Sequence, residues 1–262
     1  MSNKKTVTVV QLDNRADVRA QNMIDLAKHV KENKTDFLLL PEMCFFDWLA
    51  TKHDCDPAKW QEAINAHDAE IAKFNELGAP AVMGTRPTLE ADGRHQNQAY
   101  IWTPENKDQN FHAKWNLPNE GGYWEANWYD RGDGIFNPAR ANGMILGVQI
   151  CTEMWFFEHS REYGKHKVDL LCVPRATPHG STEKWLAGGQ AAAVVSGAFC
   201  LSSNSYTPEG YKAANIGGLS WIVSPEGDVL ATTDPDNPFA SVEIDLDDAK
   251  EAKSTYPRYV HD

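Results

Sequence analysis

The sequence predicts a single α/β domain over residues 1–262, an α-β-β-α sandwich of two stacked mixed β-sheets with helices on the outer faces. Three observations predict it: strand-like and helix-like stretches alternate early in the chain, strand-like stretches follow one another directly near its end, and several strands are apolar without a break. A strand with no polar alternation is buried on both faces, which requires a layer on each side. The 262 residues, 42% of them hydrophobic, suffice for one such core, and no Pro/Gly/Ser-rich linker divides the chain.

Residues 6–12 read as the first strand and residues 16–34 as the first helix, with Val18, Met23, Ile24, Ala27 and Val30 along its apolar stripe. Phe37-Leu38-Leu39-Leu40 then runs apolar throughout and ends at Pro41-Glu42, so the carboxylate of Glu42 emerges at the carboxyl end of a strand. A second helix, residues 57–77, stops at Gly78 ahead of the strand 81–84. Residues 98–102 and 110–113 read as paired strands around the polar turn 104–109, and Lys114 ends the second of them. Residues 115–136 lack periodicity but hold Trp115, Tyr123, Trp124, Trp128 and Tyr129; so long a loop in a compact domain tends to be functional.

Residues 144–148 form another apolar strand, and residues 152–166 read as a helix that stops around Gly164. Cys151 therefore stands where a buried strand gives way to the start of a helix. Unpaired N–H groups there lower a thiol pKa and receive an oxyanion. A strand at 168–173, a helix at 181–195 and a strand at 198–203 follow. The chain then becomes a β region: strands at 219–223, 229–232 and 240–244, with the turn Ser224-Pro225-Glu226-Gly227 after the first.

Composition excludes several function classes. A net charge of −12 argues against nucleic acid or an anionic membrane as partner, because neutralising phosphates needs clustered Lys and Arg. The five cysteines are scattered without a C-x-x-C pair, so reduced thiols are expected. Neither a signal-like apolar stretch nor a run of membrane-spanning length is visible, and a soluble, cytoplasmic protein is expected. No GxGxxG, P-loop or His-Glu-x-x-His motif stands behind a nucleotide or zinc site.

Three strand ends thus each offer one group: Glu42, Lys114 and Cys151. Their order and settings resemble the nitrilase superfamily of thiol carbon-nitrogen hydrolases, in Leu39-Leu40-Pro41-Glu42, Lys114-Trp115-Asn116-Leu117-Pro118 and Gly147-Val148-Gln149-Ile150-Cys151. The resemblance extends to Val173-Pro174-Arg175 and to Gly217-Gly218-Leu219-Ser220-Trp221, nearly end to end. It implies Cys151 as nucleophile, Glu42 as general base, and Lys114 with the backbone N–H of Thr152 as oxyanion donors. It also implies a fourth carboxylate. Glu125, in Glu125-Ala126-Asn127-Trp128-Tyr129-Asp130-Arg131-Gly132-Asp133, is similar to the carbamoyl-amide branch and is preferred; Glu120, in Pro118-Asn119-Glu120-Gly121-Gly122-Tyr123, is similar to the aliphatic amidases.

Two positions depart from many relatives: Thr152 replaces an aromatic after the nucleophile, and Phe157-Glu158 stands in place of a Pro-Glu pair. Thr152, Trp155 and Arg175 are expected to touch substrate. A bidentate Arg175 fork on a substrate carboxylate favours an N-carbamoyl or ω-amido acid, with a structural salt bridge as the alternative. Trp48, Trp124 and Trp155 are candidates for the pocket wall. The resemblance implies amide or N-carbamoyl hydrolysis through a thioester, a small-molecule amide, carbamoyl or nitrile substrate, no metal or organic cofactor, and a homodimer or higher homo-oligomer. Three alternatives stay open: a nitrilase, a catalytically silent binding subunit, and a Cys/His hydrolase using His159, His166 or His179.

Overall fold

In the computed structural model, which describes residues 3–260, the chain begins with β1 (Lys4–Asp13), α1 (Ala16–Asn33), β2 (Phe37–Leu39), α2 (Pro57–Ile71) and β3 (Val82–Leu89). A hairpin of β4 (His95–Thr103) and β5 (Lys107–Ala113) follows, then the one-turn α3 (Glu125–Trp128), β6 (Ala139–Ala141) and β7 (Met144–Val148). Next come α4 (Phe157–Lys165), β8 (Leu170–Arg175), α5 (Thr182–Ser196) and β9 (Phe199–Tyr206). The last elements are β10 (Trp221–Val223), β11 (Val229–Thr232), β12 (Phe239–Asp245) and α6 (Leu246–Ala252).

The strands form one mixed ladder in the order β5-β4-β3-β2-β1-β9-β8-β7-β6, with β12 on β1 and β10 joining β9 to β11. β1 belongs to both halves. Val7 and Val9 pair in parallel with Phe37 and Leu39 of β2, while Gln11 to Asp13 pair with Asn204 to Tyr206 of β9. Side-chain parity then sorts the core. Val7, Val9, Phe37 and Leu39 share one cluster with Leu146, Val148, Leu170 and Cys172 of the other half. Their neighbours Val10, Leu12, Leu38 and Leu40 join a second cluster with Leu26 and Val30 of α1 and Ile71 of α2. The unbroken apolar runs are thus covered on both faces, as expected of such strands.

Local chemistry sets most boundaries. The Asp56 side chain accepts from the backbone N–H groups of Ala58 and Lys59, and Pro57 opens α2, where its missing N–H costs nothing. The helix expected over 57–77 ends at Ile71 and tightens into a 3-10 turn at Phe74–Glu76, which seats Phe74 and Leu77 in the second cluster.

The helix expected over 152–166 is two pieces: a 3-10 turn at Cys151–Trp155 and then α4, separated by Phe156 at φ −97°, ψ 78°. Gln149 accounts for the break. Its amide donates to the carbonyls of Glu153 (2.8 Å) and Phe156 (3.2 Å), diverting acceptors that a continuous helix uses. Among the described residues, no helix is long and apolar enough to cross a membrane.

Candidate active site

β2, β5 and β7 each deliver one reactive group just past their last residue. Glu42 follows β2 through Leu40 and Pro41, Lys114 directly follows β5, and Cys151 follows β7 after Gln149 and Ile150. The Glu42 backbone N–H is held by the carbonyl of Arg175 (3.3 Å), and that of Lys114 by the carbonyl of Asn97 (2.9 Å). Cys151 adopts φ +51°, a left-handed conformation uncommon for a residue with a Cβ and retained only where the surroundings enforce it.

All three side chains are buried, with Lys114 fully so. Lys114 Nζ donates to Glu42 Oε1 at 2.8 Å and to Glu125 Oε2 at 2.6 Å. Asn97 Nδ2 also donates to Glu42 Oε1, at 2.8 Å, and the Tyr129 hydroxyl donates to Glu125 Oε2. Glu42 Oε2 and Glu125 Oε1 are buried without a hydrogen-bond partner in the protein. A buried carboxylate oxygen with no donor is costly to keep, so both atoms stand open to a partner from outside the protein.

One cation shared by two carboxylates cannot neutralise both. Burial works against the Lys114 ammonium, but Glu125 and Glu42 outweigh it and hold its pKa above the ordinary lysine value. Burial pushes the Glu125 carboxyl up to about 7, with Lys114 pulling it back and Glu42 adding to the rise. A carboxyl whose pKa is raised in the folded state contributes stability that is present at low pH and lost as pH climbs to the folded value. The stability advantage of the wild type over Glu125→Gln is therefore expected to shrink from pH 4.5 to about 7 and then level off, as measured by urea unfolding. A difference that grows over this window contradicts the assignment.

The thiol departs from its expectation. A helix start was expected to lower the Cys151 pKa. Burial, and after it the charge of Glu42, instead push it above the ordinary thiol range, against the pull of Lys114 and the Ala176 N–H. These influences favour the protonated thiol, so a nucleophilic role for Cys151 requires a base to take its proton.

The remaining expected residues divide. Glu125 is buried on α3 against Lys114, whereas Glu120 is exposed. Thr152 is half-buried beside Cys151. Trp155 is 36% exposed and leans on Trp185 of α5, ring centroids 5.0 Å apart. Arg175 is fully buried, and all three of its nitrogens are engaged, by Ser202 Oγ (2.6 Å), Thr177 Oγ1 (2.6 Å) and the Leu219 carbonyl (2.7 Å). Its guanidinium lies 4.0 Å from the Trp221 ring centroid, and burial lowers its pKa to about 9. Arg175 is thus a strut between β8, β9 and the segment before β10. The expected fork on a substrate carboxylate and the alternative salt bridge both give way to this packing.

Asn97, Tyr129, Tyr123, His112 and Glu153 belong to the same region and went unassigned. Tyr129 and Tyr123 lie in the aromatic stretch 115–136, and Glu153 lies two residues after Cys151, so position offered a signal for these three. Tyr123 packs near Trp48, ring centroids 6.1 Å apart, and its hydroxyl pKa is raised by burial and by Cys151. Trp48 donates to the Gly122 carbonyl at 3.1 Å, and Trp124 packs on His53.

Residues 6–254 match the model of the family described as Carbon-nitrogen hydrolase. The chain belongs to that family. This carbon-nitrogen hydrolase is a nitrilase-superfamily member, as its motifs implied. It is 26% identical over 178 residues to the N-carbamoylputrescine amidase of Oryza sativa subsp. japonica, an alignment covering 63% of this chain and 59% of the rice enzyme. The chain thus spans about three fifths of that relative's length. Over 249 residues it is 26% identical to the citrullinase of Francisella tularensis, with 89% of this chain and 86% of that one covered. In structure it is similar to the carbon-nitrogen hydrolase of Helicobacter pylori G27, with a TM-score of 0.84 at 18% identity over 98% of this chain and 94% of that one.

Proposed function

We propose that this carbon-nitrogen hydrolase cleaves an amide or N-carbamoyl bond through a thioester on Cys151, with Glu42 as base, Lys114 as oxyanion donor and Glu125 as the carboxylate that orients Lys114. One observation carries the reading: Lys114 and Asn97 saturate Oε1 of Glu42 and leave its Oε2 buried without a partner, in a buried site where Glu42, Lys114 and Glu125 are near enough to Cys151 for their charges to shift its pKa.

The steps follow from that arrangement. Glu42 Oε2 takes the thiol proton as sulfur attacks the substrate carbon. The oxyanion gains the Lys114 ammonium and the Thr152 N–H. On collapse the C–N bond breaks, and the leaving nitrogen takes the proton back from Glu42. A water that gives its proton to the same carboxylate then cleaves the thioester, releasing the acid and restoring the thiol.

In this reading the layers form an α-β-β-α sandwich, since Val7, Val9, Phe37 and Leu39 meet the other half, Val10, Leu12, Leu38 and Leu40 meet α1 and α2, and Tyr163 of α4 and Ala192 of α5 pack with the strands of the second half. With Arg175 committed to packing, the acyl group is held by contacts other than a guanidinium fork. The rice relative carries an N-carbamoyl substrate in its name, which puts carbamoyl amines first among candidates. The test is ammonia release from carbamoyl amines, amides and nitriles, with Cys151→Ala as blank. Release from an amide or carbamoyl amine above the blank is expected. Release from nitriles alone, or from none, overturns the reading.

A further inference from the structure

Glu153 lies two residues past the nucleophile and is fully buried, yet its carboxylate faces two stretches of backbone. Its Oε2 accepts the Ile150 N–H at 2.7 Å and its Oε1 the Trp115 N–H at 2.6 Å. His112 Nε2 meets the two oxygens at 3.1 and 3.0 Å. Ile150 directly precedes Cys151, and Trp115 directly follows Lys114.

We infer that Glu153 and His112 form a buried bracket that sets the separation between the Cys151 sulfur and the Lys114 ammonium, which makes both positioning residues for the reaction. The inference rests on the roles proposed above for Cys151 and Lys114.

Sheet topology shows why a bracket is needed. β5, which delivers Lys114, and β7, which delivers Cys151, stand six strands apart in the ladder: β4, β3, β2, β1, β9 and β8 lie between them. Small twists along that path accumulate, so the ladder alone leaves the two ends loosely related. Glu153 closes the gap directly, with one N–H from each end on one carboxylate.

It also encloses the left-handed Cys151, because its own N–H donates to the Ile150 carbonyl at 3.1 Å while its side chain takes the Ile150 N–H. Bracketing from both sides is what a strained φ requires. The His112 ring is fixed in turn by the Ile135 carbonyl at 3.2 Å from Nδ1 and by Phe136, ring centroids 4.6 Å apart. Burial works against a charged ring, but Glu153 outweighs it and raises the imidazole pKa. With both ring nitrogens facing acceptors, the bracket has the geometry of a charge-assisted pair.

Both carboxylate oxygens receive an N–H, so a glutamine places an amide donor against a backbone donor. Glu153→Gln is expected to melt cooperatively, to lose about 100-fold in kcat and to keep KM within about threefold, the signature of misplaced reacting groups. A folded Glu153→Gln variant with wild-type kcat, or with only KM changed, overturns the inference.

If that variant shows no cooperative melt, His112→Phe decides, since it leaves both backbone bonds to Glu153 in place. A loss of about tenfold in kcat at constant KM supports the bracket, and unchanged kcat overturns it. Absence of ammonia release by the wild type counts against the hydrolase reading instead. The bracket is then judged by alkylation of Cys151 with iodoacetamide, where equal rates in wild type and Glu153→Gln overturn it and a slower or faster rate in the variant supports it.

Discussion

Replacing Lys114 by methionine is expected to lower turnover by about 10³-fold and to cost about 3 to 5 kcal/mol of stability. The first effect follows from the oxyanion role proposed for Lys114. The second follows from what remains: Glu42 and Glu125 both bond the same buried nitrogen, so without it two carboxylates face each other out of water. They cannot both stay ionised. One must take up a proton, and the variant should therefore regain stability as pH falls from 7 to 5, more steeply than the wild type. Ammonia release and urea midpoints at several pH values measure both effects. Turnover within tenfold of wild type, or an unchanged midpoint at pH 7, contradicts the assigned role.

Glu42→Gln is expected to behave differently: turnover falls by about 10² to 10⁴-fold while stability at pH 7 stays within about 1 kcal/mol of wild type. The glutamine carbonyl can still accept from Lys114 and Asn97, which now occupy Oε1. An amide nitrogen then stands where Oε2 has no partner, and it cannot take the thiol proton. Its unpaired N–H groups carry a cost, but one charge fewer is buried, and the two roughly offset. With the thiol pKa raised by burial and Glu42, loss of the proposed base leaves Cys151 protonated at neutral pH, although removing that negative charge also eases ionisation. Near-normal turnover in this variant shifts the base elsewhere, and a single histidine whose replacement then stops turnover identifies it.

Much of the molecule was legible because its signals are local. Phe37 to Leu40 reads as a doubly buried strand from four letters; the chain leaves strand at Glu42 and Cys151 where apolar runs end, and at Lys114 where the second of two strands paired around a polar turn ends. What escaped depends on partners distant in sequence. Glu125 and Glu120 sit in the same aperiodic aromatic stretch, and only the approach of Lys114 to one of them separates the two. Arg175 was assigned to substrate because a guanidinium after a strand looks the same whether it meets a ligand or, as here, Ser202 and the Leu219 carbonyl 27 and 44 residues away. The thiol pKa was misjudged for the same reason. The local rule considers the turn at Cys151, while burial and a carboxylate from β2's end decide the direction. Gln149, whose amide interrupts the expected helix, is a capping effect that periodicity does not register.

That β1 hands its first residues to one half and its last three to the other has a consequence for how the protein comes apart. Neither half owns a complete set of edges, so the molecule has no seam along which to separate. Cutting the backbone within β1, as in a circular permutant opened there, orphans both halves at once. A permutant opened at the exposed turn Pro104-Glu105-Asn106 leaves that shared spine whole.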